Sequence, residues 1–205
     1  ESRALTAKDI IHAITGQRDE LPHDLKNIAS IHEAGHIVVG AALGCYEPDL
    51  VWLTERGGLT SGETPRGNDL TLRGLENTIT TVLAGRAAEK LLLGAEEVTV
   101  GAGLGDASDL KRATEIALDI ELRFGLGQCG LVQLPDALRD AALHDQTILT
   151  AIRQRLDRCH LHAETIVQLH CPAIVEIALA IRSNGYLERT EIVQFLKQHN
   201  LGPSD

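Results

Sequence analysis

Residues 24–43 read DLKNIASIHEAGHIVVGAAL, and what this stretch must be decides the rest of the fold. Apolar residues fall at Leu25, Ile28, Ala29 and Ile31, then at Val38, Val39 and Ala42, which is helical spacing, and Gly44 stands where a helix stop is favoured. The pattern predicts a buried helix over residues 24–44. Inside it lies His32-Glu33-Ala34-Gly35-His36. Residues four apart share one helix face, so His32 and His36 can aim both imidazoles at one point, in roughly the arrangement of two ligands of a tetrahedral zinc ion. Glu33 sits beside that point, where a carboxylate can take a proton from a metal-activated water and pass it to a leaving amine. The chemistry implied is amide hydrolysis. The plain rival is a hydrogen-bonded core cluster of two histidines and a glutamate without metal. Ala34 and Gly35 leave room for another element to approach closely, which suits a site packed between helices.

A catalytic zinc usually has three protein ligands and a water, so two imidazoles leave it one ligand short. Glu89, Asp106 and Asp109 are the candidates. Residues 70–93 resume helical spacing through Leu72, Leu75, Ile79, Val82, Leu83, Ala87 and Leu91, ending at Gly94, and Gly85, Ala87 and Ala88 form a small-residue patch suited to close helix packing. Glu89 lies on this helix. Residues 96–105 are a glycine-rich loop, after which Asp106 or Ser108 can cap a helix running to about residue 124.

The rest of the chain is read the same way. Residues 5–15 read as a short helix closed by Gly16, and residues 17–23 as a polar linker. Residues 50–54 are a short β-like run, and residues 56–68, rich in Gly, Thr and Pro, read as turns or loop. Residues 138–169 make one or two amphipathic helices, Pro172 opens the next, and Asn184-Gly185 separates it from a last helix near residues 190–199. Arg153, Arg155, Asp157 and Arg158 read as a solvated helix face or a subunit contact. The expected fold is mainly α, with a small, short-stranded β element beside the helix that carries the two histidines.

Composition narrows the function. With 205 residues, 43% of them hydrophobic, the chain is long enough to bury a core. A net charge of −10 has the wrong sign for gripping phosphates, so nucleic acid is not an expected partner. Only five residues are Trp, Tyr or Phe, so the core must come from Leu, Ile, Val and Ala. The longest apolar run, residues 37–45, is about half the roughly 20 residues a spanning helix needs, so this segment itself is expected to make no membrane contact. The four cysteines show no CxxC spacing, and a reducing cytoplasm is the expected location. The chain contains no Met and opens on Glu1, so it is expected to be a piece of a longer product.

Three segments carry a family resemblance: residues 28–39 (IASIHEAGHIVV), 82–89 (VLAGRAAE) and 98–117 (VTVGAGLGDASDLKRATEIA). Together and in this order they resemble the protease domain of the FtsH family, the membrane-bound AAA+ zinc proteases of peptidase class M41, over nearly the whole chain. Residues 185–196 (GYLERTEIVQFL) resemble a later segment of that domain, and residues 5–16 resemble the helix that ends the family's ATPase module. The resemblance implies one zinc ion held by His32, His36 and Asp109, with Glu33 as catalytic base and Glu89 orienting a ligand histidine from behind. Glu89 and then Asp106 follow Asp109 as choices for the third ligand. The implied organisation is the end of an ATPase lid helix and linker over residues 1–20, then a zinc peptidase domain over 21–205. In that domain the third-ligand helix covers 106–124 and the C-terminal helices cover 138–200.

The implied activity is ATP-dependent hydrolysis of unfolded or tagged proteins, by a homo-hexamer joined to its own AAA+ module and possessing in the full product a membrane anchor. Two departures from the family pattern stand out. Ser108 occupies a position that is usually Asn, and residues 52–70 are shorter and more polar than the region that supplies the family's edge strand for substrate. If residues 59–62 keep such an edge, extended peptide would add to it as a strand. The altered region also motivates a rival function, a non-cleaving hexameric assembly domain that retains the fold.

Overall fold

The helix expected around the two histidines forms as α1, His23–Leu43, in a computed structural model that describes residues 22–54, 57–63, 70–100 and 108–201. Gly44 ends it in the left-handed conformation, φ 61°, its N–H returning to the carbonyls of the last turn. The short helix and linker expected over residues 1–20 lie outside the described residues, as does Asp106. Strands β1, Glu47–Thr54, and β2, Gly57–Glu63, pair antiparallel, and β3, Tyr186–Glu188, pairs antiparallel on the other side of β1. The order β2-β1-β3 leaves β2 on an edge of the sheet. Residues 57–63, expected within a stretch of turns or loop, form a strand. Their glycines serve close approach: a Cβ on Gly62 would lie 2.7 Å from the Pro48 backbone, and one on Gly58 would run into Glu33.

The helix expected over residues 70–93 is two helices, α2, Leu72–Val82, and α3, Ala84–Leu92, broken at Leu83. Thr71 caps α2, accepting from the Gly74 N–H at 3.0 Å. Helix α4 is Asp109–Leu122 within the expected 106–124, and of the two candidate caps Ser108 is the one that opens it, accepting from the Lys111 N–H. The C-terminal helices are the four-residue α5, Arg139–Ala142, then α6, Gln146–Leu169, α7, Cys171–Asn184, and α8, Arg189–Gln198. Asp145 caps α6 and Pro172 sits in the first turn of α7. No single described helix is long and apolar enough to cross a membrane.

Buried side chains form two clusters. The first joins α1, α3, α7, α8, the sheet and the C-terminal half of α6 through Ile37, Val38, Val51, Ile177 and Leu187. The second joins α2, α4 and the N-terminal half of α6 through Leu75, Ile79, Ala117 and Ile120. Each fully buried Ile contributes about 1.5–3 kcal/mol by leaving water. Arg153, Asp157 and Arg158 are exposed, as expected of a solvated helix face, but Arg155 is not part of it. It is only 4% exposed and paired with Glu76 of α2 and Glu121 of α4, carboxylates the sequence pattern of α6 alone could not reveal.

Candidate metal centre

The site forms where the two clusters meet. His32 and Glu33, 3% and 2% exposed, and His36 come from the middle of α1, which belongs to the first cluster. Asp109 opens α4, which belongs to the second, and a helix N-terminus favours a carboxylate. Close packing brings α1 onto α3. A Cβ on Gly35 would lie 2.7 Å from the Ala84 carbonyl oxygen, and one on Gly85 would overlap the His32 ring, so glycine at both positions lets the imidazole stand flat against α3. The small residues singled out in both helices serve this contact.

Both histidines have one nitrogen tied down. His32 Nδ1 lies 2.6 Å from Glu89 Oε1, and His36 Nδ1 lies 2.8 Å from the carbonyl oxygen of Thr81. A carboxylate and a carbonyl only accept, so Nδ1 is the protonated nitrogen of each ring in its neutral form and Nε2 is left with its lone pair. The Thr81 carbonyl can accept here because α2 stops at Val82 and only the capping Leu83 N–H, shared with the Ile79 carbonyl, reaches it from the chain that follows. Glu89, 1% exposed on α3, is held in turn by the Thr99 N–H at 2.6 Å and the Thr99 hydroxyl at 3.1 Å.

The freed nitrogens converge. His32 Nε2 lies 3.0 Å from His36 Nε2 and 2.9 Å from Asp109 Oδ2, and His36 Nε2 lies 3.3 Å from the same oxygen. A tetrahedral zinc with ligand bonds of about 2.0–2.2 Å separates its donors by about 3.3 Å, so two imidazoles and one carboxylate at these spacings fit such an ion with little adjustment. They are the one such group of potential metal donors among the described residues.

The electrostatics describe the same point without a metal. Burial alone would lower the His32 pKa, but hydrogen bonds to Asp109 and Glu89, with the charge of Glu33, raise it from 6.5 to about 10. His36 is raised too, the Asp109 charge outweighing its burial. Burial would raise Asp109, yet the His36 charge and the hydrogen bonds to both rings hold its carboxyl far below the usual carboxylate range. Glu89 is lowered in the same way by His32 and Thr99 against its burial. Three carboxylates around two imidazoles make a pocket for positive charge, which protons occupy when no metal does.

Sequence reasoning named His32, Glu33, His36, Asp109 and Glu89, and the fold brings all five together. It did not name Thr60, whose hydroxyl donates to Glu33 Oε2, nor Thr81 or Thr99. The alternation Gly58-Leu59-Thr60 could have flagged Thr60 had residues 57–63 been read as a strand. The Thr81 contact runs through a backbone carbonyl at a helix end, and no side-chain pattern announces it.

Comparison with known proteins adds family context. The model of peptidase family M41 matches residues 20–195. An ATP-dependent zinc metalloprotease FtsH of Trieres chinensis is 36% identical over 137 residues, covering 63% of this chain and 20% of the relative. One of the same name from Thermobaculum terrenum is 32% identical over 181 residues, covering 78% of this chain and 27% of the relative. ATP-dependent zinc metalloprotease FtsH 3 of Synechocystis is 27% identical over 197 residues, covering 85% of this chain and 31% of the relative. The chain thus spans about a fifth to a third of the length of these curated relatives.

Proposed function

The chain belongs to peptidase family M41, and from that membership and its convergent donors we propose that it is the zinc peptidase domain of an FtsH-like, ATP-dependent protease. The observation that carries the reading is the meeting of His32 Nε2, His36 Nε2 and Asp109 Oδ2 within 3.3 Å of one another, with both Nδ1 atoms already engaged. These three residues would hold the zinc. Bound there, zinc supplies Lewis acidity that polarises a scissile carbonyl and lowers the pKa of an attacking water. Glu33, whose charge already acts on both rings, takes the proton from that water and delivers it to the departing amine nitrogen. Glu89 and the Thr81 carbonyl keep each ring in the tautomer that leaves Nε2 open. Burial of His32 and Glu33 excludes bulk water from the proton path.

The relatives' names carry ATP dependence, and the chain matches a minor part of their length. Accordingly we extend the proposal to a AAA+ module in the same product, a homo-hexamer, unfolded or tagged protein substrates and a cytoplasmic face for the chemistry. The deciding experiment measures zinc per chain and casein cleavage together. Wild type should hold about one zinc and Asp109→Ala markedly less, because three ligands are the usual minimum at a catalytic site. Glu33→Gln should keep its zinc and lose cleavage by about 100-fold or more. Zinc retained with no turnover in wild type, even joined to the ATPase, would instead support the non-cleaving assembly domain.

A further inference from the structure

A general base works only when its carboxylate is held where the proton will be, and a glutamate side chain has three rotatable bonds to lose before it gets there. The surroundings of Glu33 show what holds it. Strand β2 lies across it: Gly58 is buried, Leu59 is half exposed and Thr60 is partly buried, the alternation of a strand with one face against α1. Gly58 and Thr60 share that inner face. Gly58 has to be glycine because any Cβ there would overlap the Glu33 stem and lie 2.7 Å from Oε1, so the strand backbone forms a floor under the side chain. Two residues on, the Thr60 hydroxyl donates to Oε2.

Threonine suits this task because its β-branched side chain is stiff at χ1, which fixes the direction of the hydroxyl once the strand is in place. Pairing fixes the strand, since Thr60 stands opposite Val51, which is fully buried in the core. Among the described residues Oε1 carries no hydrogen bond and is left to accept the proton.

We propose that Thr60 is a positioning residue for the hydrolysis, its hydroxyl holding Oε2 so that Glu33 presents Oε1 to the attacking water. The inference rests on Glu33 acting as the base, and it assigns to β2 a role in proton transfer that is separate from its free edge. Holding the base acts on the chemical step, so it belongs in kcat. Lost contact with a peptide would appear in KM.

The test uses the full chain loaded with zinc and an internally quenched peptide as substrate, comparing wild type, Thr60→Val, Thr60→Ser and Glu33→Gln. Valine keeps the branched shape and removes the donor, so strand and core should stay intact; serine keeps the donor. The expected result is a kcat about tenfold lower in Thr60→Val with KM within about twofold, and recovery by Thr60→Ser to within about threefold of wild type. Zinc content and the urea midpoint should match wild type in both variants. A Thr60→Val enzyme at the wild-type rate, a loss confined to KM, a loss that tracks zinc or stability, or a serine variant as slow as valine each overturns the Thr60 role. Wild type no faster than Glu33→Gln overturns the base assignment and the Thr60 role with it, whereas a slow Glu33→Gln beside an unimpaired Thr60→Val removes the Thr60 role alone.

Discussion

Glu89 shows how much a residue can matter without meeting the metal. Its carboxylate is 1% exposed and 2.6 Å from His32 Nδ1, and Thr99 supplies two donors that hold it there. Replacing it by glutamine keeps the shape but removes the charge, and the amide can turn either an acceptor or a donor towards the ring. Groups that orient metal-binding histidines are typically worth about 10- to 100-fold in affinity, so Glu89→Gln should weaken zinc binding by about that factor. Competition with a chelator of known affinity measures it, and an unchanged dissociation constant would mean that His32 needs no such support. At this scale the sequence was informative where a motif fixes side chains on one helix, as with His32, Glu33 and His36. Asp109 and Glu89 lie 77 and 57 residues from His32 in the chain, and the residues alone left them as candidates beside Asp106, the family resemblance giving each its role.

Elements were legible where hydrophobic period and caps agree, and illegible where a residue serves a neighbour. Helix α1 falls within a residue of its expected bounds because its apolar stripe and Gly44 point to the same answer. The break at Leu83 was hidden because the apolar spacing continues through it, and the contact of the Thr81 carbonyl with His36 is visible only once α1 lies alongside. Strand β2 was hidden by its glycines, which usually mean turns and here mean that a backbone lies on Glu33 and another on Pro48. A test follows at Gly58. Alanine there must push β2 away from α1 or turn Glu33 aside, and overpacking of this kind costs about 1–3 kcal/mol. Gly58→Ala should therefore lower the urea midpoint. An unchanged midpoint would show that the strand rides loosely over the base.

Across the whole molecule, charges lock together the three helices of the second cluster. Arg155 of α6 reaches Glu76 of α2 and, at 2.8 Å, Glu121 of α4, while the second Glu121 oxygen accepts from the Gln128 N–H at 2.7 Å. This network fixes the helix whose first residue is Asp109, so it bears on the metal centre from the far end of α4. Removing one partner of a buried pair leaves the other uncompensated, at about 3–5 kcal/mol, whereas replacing both by apolar residues of similar volume is often neutral. Arg155→Met should destabilise by that amount because Glu121 is fully buried, and Arg155→Met with Glu121→Leu should recover most of the loss in urea unfolding. Equal losses in the single and double variants would show that the network contributes a net attraction beyond mutual compensation.

The metal centre joins the two clusters, and protons and zinc compete for it. In the metal-free chain His32 is raised from 6.5 to about 10, so the stability it contributes is complete below pH 6.5 and disappears as pH rises towards 10. His36, raised as well, acts in the same direction. Asp109 and Glu89 are lowered, and their contribution is lost only in acid, so it does not offset the loss on the alkaline side. One titrating group changes unfolding free energy by at most about 1.4 kcal/mol per pH unit. The EDTA-treated chain should therefore lose urea stability steadily between pH 6.5 and 9. With zinc in excess the imidazoles are already deprotonated, no proton remains there to be lost, and a ligand that binds only the folded state adds stability throughout. The zinc-loaded curve should thus lie above the EDTA curve and diverge from it as pH rises. Parallel curves would mean that zinc does not replace the proton on His32, and that the donors converging there are a proton-bound core cluster.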